Sequence, residues 1–161
     1  MTPPVPFEAK HVSVLWAGPE RCDEIAAMHG RLFQPPWDAA SVAKLLEHPA
    51  STAFVGQIGA PKISVGFIMG QLMADEAEIL AVGVAPELQR RGLGRILVEA
   101  FARAAKRAEA KSLHLEVAAD NPAALALYAK LGFSEARRRA GYYERPGGAA
   151  AVDALVLKLA L

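Results

Sequence analysis

A short stretch over residues 82–95, VGVAPELQRRGLGR, combines the residue types that bind anions. An apolar run ends at Val84, and Gly92 and Gly94 stand just before a segment with helical periodicity. Glycines at such a turn let backbone N–H groups converge in front of a helix, where the helix dipole favours phosphate. Nearby basic side chains could add charge-assisted contacts; they are Arg90, Arg91 and Arg95. The alternative interpretation is a tight turn with solvated arginines.

Two common phosphate-binding motifs do not match this stretch. A Walker loop requires Lys followed by Ser or Thr after its last glycine, whereas Arg95 and Ile96 stand there. A dinucleotide-binding turn follows the first strand of a repeating βαβ sheet, but this turn follows three segments that predict an antiparallel meander. A phosphate site here would therefore belong to another fold.

The elements that must position this turn are predicted from apolar periodicity and turn residues. Strands are predicted over residues 11–16, 52–58, 64–72, 77–84, 112–117, 133–139 and 152–159. Helices are predicted over residues 19–33, 38–48, 93–110 and 122–131. This order predicts an α/β fold, a single domain over residues 1–161 with a mixed sheet and helices on both faces. The third and fourth helices are each expected to join parallel neighbouring strands.

The predicted strand over residues 112–117 places two polar side chains on one face. Leu113, Leu115 and Val117 alternate with His114 and Glu116, so the polar pair points away from the apolar side. A histidine in a strand is more often structural, so His114 is left out of the candidate site. Glu116 remains a candidate.

Composition restricts the classes of partner. The formal charge of +1 gives no reason to expect nucleic-acid or membrane binding, and three arginines at 137–139 fit a solvated strand or loop. No apolar run reaches the roughly 18 residues of a spanning helix, and the first ten residues lack a signal-peptide pattern. Cys22 is the single cysteine, which fits a reducing compartment. We expect a cytoplasmic protein without nucleic-acid or membrane partners and without a metal.

Two motifs together resemble the GNAT superfamily of N-acetyltransferases. The pattern Gln/Arg-x-x-Gly-x-Gly/Ala is met by residues 89–94, and Asn-x-x-Ala-x-x-x-Tyr-x-x-x-Gly-Phe is met by residues 121–133. Within the superfamily, the segments PWDAASV, LEVAADNPAALALY and YYERPGGAAAVDALVLKL are similar to the RimI-type ribosomal-protein-alanine N-acetyltransferases. The resemblance runs from about residue 25 to the C-terminus. It implies the GNAT fold and acetyl-CoA as cosubstrate.

The resemblance also implies site residues. It places the general base at Glu116 and the general acid at Tyr128, beside a splayed pair of parallel strands over residues 79–84 and 112–117. The expected contacts to the cosubstrate are Val82, Gly83, Val84, Gln89, Arg90, Arg91, Gly92, Leu93, Gly94, Arg95 and Asn121. The residues alone also allow a solvent-facing carboxylate for Glu116, a core tyrosine for Tyr128 and a helix cap for Asn121.

The acceptor implied by the resemblance is the N-terminal alanine of a small-subunit ribosomal protein. Delivering a neutral lysine at pH 7 costs about 3.5 kcal/mol more than delivering a neutral α-amine, so one carboxylate base suits an N-terminus better. Aromatic groups that could line a peptide groove, or equally anchor loops, are Trp37, Tyr142 and Tyr143, with Pro36 beside them. The RPGG segment after Glu144 departs from the loop expected in the family.

Three alternatives remain open from the sequence. The first is a GNAT enzyme that acetylates a small-molecule amine or a broader set of protein N-termini. The second is a CoA-binding sensor without turnover, against which the retained Glu116 and Tyr128 argue. The third is a nucleic-acid module, motivated only by residues 137–139.

Overall fold

The computed structural model describes residues 11–161, so the expectation about the first ten residues lies outside the described range. The strands are β1 (Ser13–Trp16), β2 (Ser51–Ile58), β3 (Ile63–Met73), β4 (Glu76–Val84), β5 (Ser112–Ala118), β6 (Ser134–Tyr143) and β7 (Val152–Ala160). The helices are α1 (Cys22–Leu32), α2 (Ala39–Glu47), α3 (Leu93–Arg107) and α4 (Pro122–Lys130). Short 3₁₀ turns precede α1 and α3, at Pro19–Arg21 and Pro86–Leu88. The predicted order of strands and helices is confirmed.

The seven strands form one mixed sheet in the order β1-β2-β3-β4-β5-β7-β6. β4 and β5 pair in parallel through α3, as predicted. The corresponding prediction for the helix over residues 122–131 is wrong, because β7 lies between β5 and β6 and is antiparallel to both. Burial explains the placement: β7 contributes the buried Leu155 and Leu157, whereas nearly every residue of β6 is exposed, which suits an edge strand.

Each helical layer covers a different part of the sheet. α3 and α4 pack on one face, where Leu97 and Phe101 are fully buried against apolar side chains of β4, β5 and β7. On the other face, α1 and α2 form a second core with β2, β3 and Ala81 of β4. None of the buried residues of this second core within residues 11–161 comes from β5, β6 or β7. The polar face of β5 is therefore left uncovered by these two helices.

Local signals set several helix ends. Asp38 caps α2 as predicted, because its side chain accepts a hydrogen bond of 2.7 Å from the backbone N–H of Ser41. α3 ends at Arg107 rather than 110, since Glu109 adopts a left-handed φ of 67°. Within residues 11–161, no helix combines the length and the apolar character that crossing a bilayer requires.

Candidate active site

The parallel strands β4 and β5 separate at one end. Their pairing begins at Glu76 with Ser112 and stops at Ile79 with Leu115. β4 carries a register shift at this point, because Met69 and Gly70 of β3 pair with Ala81 and Ile79 and skip the residue between them. An extra residue of this kind bends and twists its strand. The expected splay is present, and the β5-facing edge of residues 80–84 is left without a strand partner.

The turn that follows β4 has left-handed residues directly before α3. Arg90 and Gly92 both adopt left-handed conformations, with φ of 65° and 87°. The first helical hydrogen bond of α3 joins the Ile96 N–H to the Gly92 carbonyl at 3.1 Å, and no side chain caps the helix. The N–H groups of residues 93–95 therefore lack intrahelical acceptors. A Cβ added at Gly92 would meet no heavy atom within 4 Å among residues 11–161, so the space beside this glycine is open.

Not every predicted residue of the turn has a side chain available to a ligand. Gln89 donates through Nε2 to the Val84 carbonyl at 3.1 Å and so closes the turn. The Leu93 side chain is buried in the core, which leaves its backbone N–H as the group facing the turn. Gly94 also serves packing, because a Cβ there would lie 3.3 Å from Leu127 of α4. Arg95 bonds Glu99 through Nε at 2.9 Å.

Glu116 lies just beyond the point where the two strands separate, on the polar face of β5. Its side chain is 26% exposed and has two partners from β6. The Tyr143 hydroxyl donates to Oε1 at 3.4 Å, and the Arg139 Nε lies 3.5 Å from Oε2. Glu116 is therefore gathered into a cluster of side chains rather than standing alone in solvent. Its role as general base remains a prediction.

Tyr128 is a core residue on α4. It is 6% exposed, and its ring meets Phe133 edge to face at a centroid distance of 5.5 Å. Burial raises the pKa of Tyr128 to about 12, so its hydroxyl stays protonated at neutral pH. The buried ring agrees with the interpretation of Tyr128 as a core tyrosine. A protonated hydroxyl is also what a general acid requires, and that role remains a prediction.

Asn121 and His114 have structural partners. The Asn121 Oδ1 accepts a hydrogen bond of 3.2 Å from the Ala124 N–H and thus caps α4. This leaves the amide nitrogen of Asn121 for any contact to a cosubstrate. His114 lies 3.0 Å from the Ser112 hydroxyl through Nε2, in agreement with leaving it out of the site.

Tyr142 and Tyr143 stand edge to face at the end of β6, with ring centroids 5.1 Å apart. Arg139 lies 5.1 Å from the centroid of the Tyr142 ring. Burial, the nearby Glu116 carboxylate and their hydrogen bond raise the pKa of Tyr143, so its hydroxyl remains a donor. The two tyrosines and Arg139 form a wall beside Glu116, which we call the acceptor wall.

Trp37 lies in the segment between α1 and α2. Its ring stacks on His29 at 4.3 Å, and its backbone N–H donates to the His29 Nδ1 at 3.1 Å. Burial lowers the pKa of His29, which keeps Nδ1 an acceptor. Trp37 also lines an open pocket of 430 Å³ with α2 and Gln71. No hydrogen bond or ring contact within residues 11–161 joins Trp37 to the tyrosine pair, so the structure does not bring the predicted acceptor residues into one cluster.

Sequence reasoning missed contacts of three side chains, Arg139 at Glu116 and the pair of Asp120 with Arg145. Arg139 was interpreted only as part of a charged run, because its side of the sheet follows from the pairing of β6 with β7, which the sequence did not predict. Asp120 and Arg145 form an ion pair across a sequence separation of 25 residues, for which no local signal exists. Within residues 11–161, no group of His, Cys, Asp or Glu side chains is arranged to hold a metal ion.

This architecture has established counterparts. The chain matches the Acetyltransferase (GNAT) family over residues 22–133, and it belongs to that family. Relatives of the chain include a ribosomal-protein alanine N-acetyltransferase and an N-alpha-acetyltransferase. The [Ribosomal protein bS18]-alanine N-acetyltransferase of Salmonella typhimurium is 42% identical over 93 residues, which are 58% of this chain and 62% of that protein. The chain thus aligns with less than two thirds of the length of that relative.

Two further proteins match most of the chain. N-alpha-acetyltransferase RimI of Mycobacterium tuberculosis is 33% identical over 138 residues, which cover 81% of this chain and 82% of the relative. The crystal structure of the ribosomal-protein-S18-alanine N-acetyltransferase from Escherichia coli superimposes with a TM-score of 0.82 at 29% identity. That match covers 92% of this chain and 93% of the other. The expected GNAT fold is confirmed.

Proposed function

We propose that this protein is an acetyl-CoA-dependent N-α-acetyltransferase that acts on the N-terminal alanine of a small-subunit ribosomal protein. One observation carries the proposal: Glu116 lies beside the gap between β4 and β5, and β4 leads into the uncapped N-terminus of α3. A carboxylate beside a gap that leads to an anion site suits proton removal from an amine next to a phosphate-bearing donor. Similarity to the bS18-alanine and RimI enzymes supports the choice of acceptor.

The residues around the gap fit acetyl-CoA. The open space at Gly92 and the uncapped N–H groups of residues 93–95 suit its phosphates, and Arg90 adds positive charge. The edge of Val82, Gly83 and Val84 that faces away from β3 has no strand partner within residues 11–161 and offers backbone groups to an extended chain of amides, except for the Val84 carbonyl, which already accepts from Gln89. When bound there, acetyl-CoA supplies an activated acyl group with a thiolate leaving group. All remaining steps depend on side chains of this protein.

Glu116 accepts the proton of the incoming α-ammonium, directly or through water. The partners of its carboxylate come from β6, so the side chain is held at the gap while part of it stays accessible. An α-amine has a pKa near 7.8, so a carboxylate needs to remove a proton from a group that is already partly neutral at pH 7. This match between base and acceptor favours an N-terminus over a lysine side chain.

Tyr128 donates to the sulfur as the thiolate leaves. Because its pKa is about 12, the hydroxyl is a hydrogen-bond donor over the whole neutral range. Tyr142 and Tyr143 border the approach of the acceptor peptide. Trp37 lies apart from them and packs against the core that α1 and α2 form with the sheet.

Release of CoA from acetyl-CoA tests this proposal directly. Three acceptors are compared: a short peptide that begins with alanine, the same peptide with a blocked N-terminus and a free lysine, and a polyamine. We expect turnover on the free α-amine alone. Equal turnover on the polyamine would instead favour a small-molecule acetyltransferase, and binding of acetyl-CoA without turnover on any acceptor would favour a sensor.

A peptide panel defines the acceptor further. Peptides that differ only in the first residue are compared at equal concentration, with alanine expected to be preferred. Comparable rates for several first residues would replace the alanine-specific proposal with a broader N-terminal acetyltransferase. Mass spectrometry of ribosomal proteins from a deletion strain is the matching cellular test, because an unchanged N-terminus would contradict the ribosomal acceptor.

A further inference from the structure

An ion pair joins the β6–β7 loop to the segment that follows β5. Arg145 donates to Asp120 through two nitrogens, with Nη2 to Oδ1 at 2.6 Å and Nε to Oδ2 at 2.9 Å. Such two-bond pairs are the strongest and most directional kind of arginine–carboxylate contact. The Arg145 side chain is 29% exposed and the Asp120 side chain 47% exposed, so the pair lies at the surface and its directionality rests on the two-bond geometry. The hydrogen bond from Arg145 also lowers the pKa of Asp120.

The same guanidinium lies against the acceptor wall. Its central carbon is 5.7 Å from the centroid of the Tyr143 ring, within the range of a cation–π contact. The Tyr143 hydroxyl reaches Glu116 at 3.4 Å, which is near the upper limit of a hydrogen bond. A small displacement of the Tyr143 ring would therefore break its bond to Glu116.

Little else holds the loop next to Tyr143. The pairing of β6 with β7 is irregular between Arg139 and Tyr143, and Tyr143 with Val152 is the pair nearest the loop. Two glycines inside the loop, Gly147 and Gly148, adopt φ of 72° and 75°, and a Cβ on either would meet no atom within 4 Å. A loop with so few contacts is positioned mainly by the ones that it has, here the ion pair between Arg145 and Asp120.

We propose that the Arg145–Asp120 pair is a strap that positions Tyr143 on Glu116 and thereby sets the affinity for the acceptor peptide. The strap ties the loop to a residue four positions after Glu116 on the same chain segment. The end of β5 and the residues after it therefore carry both Glu116 at the gap and Asp120, which anchors the acceptor wall. This inference rests on the proposed function, and it makes Asp120 and Arg145 positioning residues.

Three variants test the strap. Asp120→Asn and Arg145→Ala remove the ion pair, and the double exchange of Asp120→Arg with Arg145→Asp restores it in reverse. Each single change frees the loop and lets the Tyr143 ring move, so each is expected to raise the KM for the peptide about fivefold. The KM for acetyl-CoA should stay unchanged, and the double exchange should recover most of the loss.

A matched control is Glu24→Gln. It removes a carboxylate from the partly buried Arg21–Glu24 pair, whose N–O distance is also 2.6 Å, at the start of α1. No change in the peptide KM is expected. Equal effects on both KM values in the strap variants, or an effect as large in the control, would overturn the proposal by indicating a general loss of stability.

A double-mutant cycle tests whether the strap acts through Tyr143. Tyr143→Phe removes the hydroxyl that contacts Glu116, so Asp120→Asn should have almost no further effect on the peptide KM in that background. Additive effects of the two changes would contradict the proposal. If Arg145→Ala or the double exchange fails to fold, Arg145→Lys keeps the charge and loses the two-bond geometry, and an intermediate effect is expected.

Hydrogen exchange separates this inference from the proposed function. Without any peptide substrate, the backbone amides of residues 141–146 should exchange several-fold faster in Asp120→Asn than in wild type. Faster exchange in a protein that acetylates no peptide would support the strap and reject the proposed function. Unchanged exchange would reject the strap, whatever the activity.

Discussion

The turn over residues 89–94 before α3, which we call the anion turn after its proposed ligand, and the acceptor wall beside Glu116 are built in opposite ways. The turn uses consecutive residues and mostly backbone groups, with left-handed conformations at Arg90 and Gly92. The wall uses side chains of β6 that depend on partners elsewhere, Glu116 of β5 and Arg145 of the β6–β7 loop, and its hydrogen bond from Tyr143 to Glu116 spans 27 residues. A site made of consecutive backbone groups tolerates most changes elsewhere, whereas a site made of distant side chains depends on the sheet order and on loop attachments. We therefore expect mutations to separate donor binding from acceptor binding.

Tyr128 belongs to neither region, and its substitution gives the largest expected effect on activity after that of Glu116. Tyr128→Phe keeps the core packing and removes the hydroxyl, so kcat should fall by about 10²-fold, the range typical of losing a general acid. The affinity for acetyl-CoA, measured by calorimetry, should change little. An unchanged kcat would mean that Tyr128 is only a core residue.

The pKa of Tyr128 gives a stability test of the same residue. Its folded pKa of about 12 lies above the usual value near 10, so the neutral phenol is favoured in the folded state. The resulting contribution to stability is fully present below pH 10 and is lost as the pH rises through 12. Wild type should lose more stability than Tyr128→Phe over that interval, as measured by denaturant unfolding at each pH.

The anion turn gives the next effect. Gly92→Asp places a carboxylate and a side chain at a left-handed position where the open space faces the helix N-terminus. Repulsion of phosphate and loss of space should weaken acetyl-CoA binding by about 30-fold, equal to roughly 2 kcal/mol. Gly148→Asp is the matched control, because Gly148 also has a positive φ and open surroundings. Equal weakening in both variants would show that backbone strain, not anion binding, is responsible.

Predictability from sequence follows the same division. The glycine turn and the Asp38 cap depend on neighbouring residues, so residue types and spacing were sufficient to predict them. The position of β7 between β5 and β6 depends on which strand buries more apolar surface, and the connection through α4 gave no sign of it. The contacts of Arg139 and Arg145 follow from that sheet order. Their physical cause is long-range packing, which local patterns do not encode.

His29 lies outside both regions, gives the smallest effect and tests the pH dependence of the segment between α1 and α2. Burial lowers the pKa of His29, and its neutral Nδ1 accepts the Trp37 backbone N–H. The folded pKa is below the unfolded one, so the contribution of His29 is present above pH 6.5 and is lost as the pH falls. Between pH 7.5 and 5.5, wild type should lose about 1–3 °C more in Tm than His29→Gln. Equal losses of Tm in the two proteins would show that neutral His29 does not stabilise this segment.

Single-turnover acetyl transfer by Glu116→Gln tests most directly whether Glu116 is the general base. Glutamine keeps the shape and can still accept the Tyr143 hydrogen bond, but it cannot take a proton. With saturating acetyl-CoA and an alanine-starting peptide, the rate constant should fall by about 10²- to 10³-fold while acetyl-CoA affinity stays at the wild-type value. A wild-type transfer rate in Glu116→Gln would contradict the assignment of the base and, with it, the proposed role of the acceptor wall.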